Sequence, residues 1–174
     1  MAGIKEIKKA FFDLPIKEQE VILKDIYGFS KDIKEFLNLR LLNEGEDLFI
    51  DNITKLTQCW SPAGTLKIIK VTQVNSIISK AKKAKVSSKF LSQMEWIAFD
   101  GYMTALDDFG GGPESYENKI YDHLKNYLLL IQKNESGNKL DQSIEDVRQY
   151  LRSHTNMYCD HIWELFEEIT GEEV

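Results

Sequence analysis

The chain is poor in several things that catalytic and nucleic-acid-binding proteins usually carry. Only two of its 174 residues are cysteine, Cys59 and Cys159, and they form no CxxC pair. That spacing offers neither a zinc ribbon nor a thioredoxin-type redox motif, and the two are expected as free thiols. Three prolines and ten glycines are too few for the many short strands and turns of a sandwich or barrel. No stretch approaches the roughly 20 apolar residues that span a bilayer. The N-terminal MAGIKEIKKAFFDL lacks the apolar core and cleavage site of a secretory signal. The expectation is a soluble cytoplasmic protein with no membrane partner.

Negative charge is missing from the middle of the chain. Between Asn52 and Met94 there are eight lysines (Lys55, Lys67, Lys70, Lys80, Lys82, Lys83, Lys85 and Lys89) and no Asp or Glu. The whole chain nets −6, so the remainder carries −14. Residues 135–174 alone hold ten acids against three bases. Segregation of this kind creates local potentials that act on partners even when net charge is small. The same window also lacks arginine, since Arg40, Arg148 and Arg152 lie outside it, and no aromatic residue stands between Trp60 and Phe90. Single-strand and base readers usually need stacking side chains, so the lysines read first as a solvated face, next as a protein contact, and last as a site for nucleic acid or another polyanion.

What the chain does have is helical period. Apolar residues make up 43% and charged residues 29%, within the globular range. Ile4, Ile7 and Phe11 form a first stripe. Pro15 opens a second helix, where a missing N–H does no harm, running to about Tyr27. Ser30 caps a third with Ile33, Phe36, Leu37 and Leu41 on one face. A fourth covers roughly 46–59. Ser61-Pro62-Ala63-Gly64 interrupts the pattern, and residues 66–71 read equally as extended chain or as the start of the helix bearing Val71, Val74, Ile78 and Ala81. Ser87 or Ser88 caps the next. Residues 90–106 are apolar on nearly every face, the mark of a helix surrounded by others. After a loop at 107–113 come helices with Ile120, Leu124, Tyr127 and Ile131, then Leu140, Ile144, Val147 and Leu151. The last carries Tyr158, Ile162, Leu165 and Ile169.

The predicted fold is all-α, with eight to nine helices packed as antiparallel pairs, either a bundle or a short HEAT-like stack, around a central apolar helix near 89–108. One domain over 1–174 is expected, with a possible sub-division into 1–60 and 66–174.

The order of these pieces resembles a family of small, all-helical bacterial proteins of uncharacterised function. The matching stretches are LPIKEQEVILKDIYGFSKDIKEFLNLRL at 14–41, NEGEDLFIDNITKLTQCWSP at 43–62 and NSIISKAKKAKVSSKFLSQMEWIAFDGYMTALDDFG at 75–110, with MYCDHIWELFEEIT at 157–170 similar in style. The resemblance implies the fold and a lysine-rich centre, and carries over no catalytic residue. Pro15 departs from it, where relatives favour a serine cap.

Several groups were weighed as sites. His154, Cys159, Asp160 and His161, with His123 from another helix, are ligands suited to Zn²⁺, but no pair has the spacing of HExxH, and no metal or other cofactor is expected. Asp107-Asp108 and Glu167-Glu168 read as hydrated surface. Gly110-Gly111-Gly112 follows a helix and two aspartates, so it reads as a connection and not a phosphate loop. No GxSxG or Cys/His frame is present, and the chain is not expected to be an enzyme. Glu95 and Asp100 interrupt the apolar helix. They need partners such as Lys89, Tyr102 or Tyr121, or else they line a pocket. The remaining candidate is an interaction surface of Lys67, Lys70, Lys80, Lys82, Lys83, Lys85 and Lys89. The leading expectation is thus a non-enzymatic interaction module that docks a protein or a second copy of itself. A polyanion-binding protein and a metal-dependent hydrolase are the alternatives.

Overall fold

A computed structural model describes residues 3–42, 44–154 and 161–172. Among them are nine helices: α1 (Ile4–Phe12), α2 (Ile16–Phe29), α3 (Lys31–Leu42), α4 (Glu46–Thr57), α5 (Val71–Ala84), α6 (Ser88–Phe109), α7 (Glu114–Asn134), α8 (Asn138–Ser153) and α9 (Ile162–Thr170). No strand longer than an isolated bridge occurs among the described residues. The molecule is an all-α bundle.

Chain contacts divide it into two compact units, Met1–Gly45 and Glu46–Val174. The interruption at 60–66 falls inside the second unit.

The first unit holds α1, α2 and α3. Its local signals operate as the sequence suggests: Ser30 Oγ accepts from Ile33 N at 3.2 Å, and Pro15 stands at the N-cap of α2. Gly28 does not stop that helix, which continues to Phe29. Among the described residues of this unit only Leu39 is buried.

The second unit is built on α6. Eleven of its 22 residues are buried, Phe99, Tyr102 and Met103 among them, as an apolar-all-round helix requires. α6 turns back into α7 through Gly110–Pro113, with Gly110 left-handed at φ 64°, where glycine has no steric penalty. Ring pairs give the direction. Tyr102 lies 5.2 Å from Tyr116, while Trp96 lies 4.9 Å from Tyr127. Lower numbers on α6 face higher numbers on α7, so the two run antiparallel.

Around this hairpin sit α4, α5, α8 and α9. Gly101 lets α4 approach closely: a Cβ there would collide with Thr57. Trp96 is half-buried and packs on Phe99 and Tyr150 of α8. α9 is tied to α7 by Gln132 Nε2, which donates to Ile169 O at 2.8 Å. Residues 66–70 are not helical. Leu66 bridges Trp60, Lys67 N donates to Cys59 O at 2.6 Å, and α5 begins at Val71. The two alternatives for 66–71 thus resolve into an extended approach followed by the helix start.

Candidate functional site

The α5–α6 turn brings the lysine segment to a point. Helix α5 buries Val74, Ile78, Ala81 and Ala84, a stripe that leaves Lys83 facing outward. The helix ends at Lys85, which adopts φ 52° and ψ 46°. It is the one non-glycine residue with positive φ among those described. Its N–H reaches back to Ala81 O and Lys82 O, and Val86 N to Ala81 O at 3.4 Å, a Schellman-type stop. In such a stop glycine is the residue without a steric penalty, and an L side chain there costs about 1 kcal/mol. Two residues on, Ser87 caps α6 by accepting from Phe90 N at 3.1 Å. Lys83, Lys85 and Lys89 are exposed around this corner, and Lys67 and Lys70 are exposed on the extended approach to α5. Lys80 is half-buried.

Lys82 behaves differently. Its Nζ lies 2.8 Å from Oε1 of Glu95, whose side chain is 0% exposed, while the Lys82 side chain is 46% exposed. The other carboxylate oxygen, Oε2, lies 2.6 Å from Nδ1 of His123, also buried. Burial opposes ionisation of Glu95, but hydrogen bonds from His123 and Lys82 outweigh it and hold the carboxyl below its ordinary value. An ionised carboxylate only accepts, so Nδ1 of His123 is the donor. Nε2 of His123 is buried with no protein partner among the described residues, and Tyr102 stacks on the imidazole at 5.7 Å.

Lys82, Glu95 and His123 come from α5, α6 and α7, so the triad ties three helices together. It lies in the wall of a cleft of about 400 Å³ lined also by Asn75, Ser79, Lys119, Asp122 and Asn126. None of the partners weighed from the sequence for Glu95 makes these bonds. The actual ones are 13 positions before and 28 after it in the chain, and periodicity carries no signal of either.

Asp100 is elsewhere. It accepts from Tyr150 OH at 2.7 Å and borders a separate cleft of about 410 Å³ with Thr57, Cys59, Trp60 and Gly101. Glu95 and Asp100 therefore do not share a pocket. Cys59 is buried and free. Burial, and after it the hydrogen bond and charge of Asp108, push its thiol up, the opposite of what a nucleophilic thiolate needs. Asp108 also accepts from the Trp60 indole.

The candidate metal ligands that are described are not gathered. Cys159 and Asp160 lie outside the described residues. His154 stacks on Tyr150 and sits 3.5 Å from Asp107. His161 is paired with Glu164 at 3.1 Å on the exposed first turn of α9, and His123 is taken up by Glu95. Among the described residues no three His, Cys, Asp or Glu groups form a cluster able to hold a metal ion.

No protein-family model, curated protein or solved structure matches the chain. No described helix is long and apolar enough to cross a membrane.

Proposed function

We propose that this protein is a non-enzymatic helical interaction module that docks an acidic protein surface through the lysines of the α5–α6 turn. The observation that carries this reading is the backbone of Lys85. A lysine occupies a left-handed helix stop where glycine is cheaper, at the tip of an exposed lysine cluster. Strain of this kind persists where a side chain is needed for something other than folding. The window from 53 to 93 contains no acid, so no neighbour in sequence neutralises the cluster. Lys82 supplies rigidity instead of display, because its bond to Glu95 fixes the last turn of α5 against α6. Rim charges of this sort act mainly on association rate and on the choice of partner.

The test is capture from the native cell with wild-type protein and with a Lys83→Glu, Lys85→Glu, Lys89→Glu variant, melting being followed on both. Loss of acidic protein partners from a variant of unchanged melting temperature is the expected result. Partners retained by the folded variant would contradict it. Recovery of nuclease-sensitive material whose affinity falls linearly on a log–log salt plot would favour polyanion binding instead.

A further inference from the structure

Asp100 is the second acid in the apolar run of α6, and the fold gives it a cleft of its own. The cleft, of about 410 Å³, opens between α4 and α6 and is shared with Thr57, Cys59, Trp60, Ile97 and Gly101. That volume suits a small molecule. Among the described residues no Lys, Arg or His lines it. Asp100 Oδ1 accepts from Tyr150 OH at 2.7 Å, a neutral partner that leaves the negative charge in place.

Trp60 forms another part of the wall and is 42% exposed. Its indole N–H donates to Asp108, which holds the ring by its edge. The backbone around it is fixed as well, since Ser61 N donates to Thr65 O at 2.8 Å and Lys67 N to Cys59 O at 2.6 Å. Among the described residues no lysine or arginine lies over this ring. Asp108 is a second carboxylate at this end, 3.6 Å from the Cys59 sulfur. Cys59 itself brings no charge, because burial pushes its thiol up.

The face of an aromatic ring is negative and attracts cations. A carboxylate in the same cleft, with no base to neutralise it, adds to that attraction. The remaining walls, Ile97, Cys59 and Gly101, offer few acceptors. A primary ammonium would leave N–H donors unmet there, whereas a quaternary ammonium has none to satisfy. We propose that the α4–α6 cleft binds a small quaternary ammonium compound, its cationic head held between Asp100 and the face of Trp60. The site shares no residue with the lysine turn and takes a ligand of the opposite charge from the acidic partner docked there.

Choline is the probe, and its uncharged carbon isostere dimethylbutanol is the control. Each is titrated into the full chain while the Trp60 indole and Gly101 amide resonances are followed by proton–nitrogen correlation NMR. Choline should shift both saturably, and dimethylbutanol should bind roughly tenfold or more weakly. Asp100→Asn keeps an oxygen for Tyr150 and removes only the charge. It should melt close to wild type and bind choline on the order of tenfold more weakly. Trp60→Phe, which keeps a ring, should retain more affinity than Trp60→Leu, with melting followed on both. Four results would each overturn the site: no saturable shift with choline, equal affinity for dimethylbutanol, unchanged choline binding by folded Asp100→Asn, or equal affinity of the Phe and Leu variants.

Discussion

Glu95 is the residue on which the second unit turns. A carboxylate with no solvent exposure is costly unless it is both paired and hydrogen-bonded, and here Lys82 pairs with it and His123 is hydrogen-bonded to it. The sequence marks Glu95 as anomalous, one of two acids, with Asp100, that interrupt the apolar run at 90–106. It cannot mark the partners, because they come from helices that only tertiary packing brings near. Lys82 is the mirror case: in the sequence it is one of a run of lysines, and in the fold its ammonium reaches the buried Glu95. Reversing its charge would set two carboxylates against each other, so a docking test at this turn leaves Lys82 alone. Glu95→Gln is expected to destabilise the protein by about 1–3 kcal/mol, the worth of hydrogen bonds to a charged group. The folded carboxyl is held below its ordinary value of 4.5. Its contribution is therefore present above that value and is lost as pH falls through the lower, folded one. Denaturant titrations of wild type and Glu95→Gln should converge as the medium is acidified below about pH 4.5. A constant gap down to pH 2 would mean that the ionised carboxylate contributes nothing.

At the scale of helices, most of the pattern is written in the chain. Pro15, Ser30 and Ser87 start helices where their chemistry says they should, and α6 is recognisable because nearly every face of it is apolar. The end of α6 is less legible. A loop from residue 107 was expected because Asp107-Asp108 and three glycines suggest one, yet the helix persists to Phe109, where left-handed Gly110 ends it. The stop of α5 is illegible for the opposite reason, since a lysine does what a glycine ordinarily does. The α4–α6 crossing depends on Gly101, a residue that periodicity alone would treat as a weak spot in the helix. Thr57 occupies the space a Cβ would need and donates its hydroxyl to Ile53 O at 2.9 Å. Gly101→Ala should therefore destabilise by about 1–3 kcal/mol, as overpacking does, although alanine is the better helix former. Chemical denaturation measures this directly. A stabilised variant would mean that α4 can shift away without loss.

For the whole molecule, charge segregation was readable from composition, and what the fold adds is its arrangement in the second unit. Ala81 and Ala84 face the core, Lys82 holds α5 to α6, and Lys83, Lys85 and Lys89 stand outward around a backbone stop that is dearer than it need be. The metal-site candidates were legible as residue types but not as a place, because among the described residues no three His, Cys, Asp or Glu groups gather to hold a metal. The most direct test of the lysine turn is one variant measured in two ways. Lys85→Gly should relieve the left-handed strain and raise the melting temperature by about 2–4 °C. The same variant should capture the native acidic partner several-fold less well, because a displayed charge has gone. A more stable variant that captures the partner as well as wild type would contradict the docking role, and leave Lys85 a hydrated side chain on a strained turn.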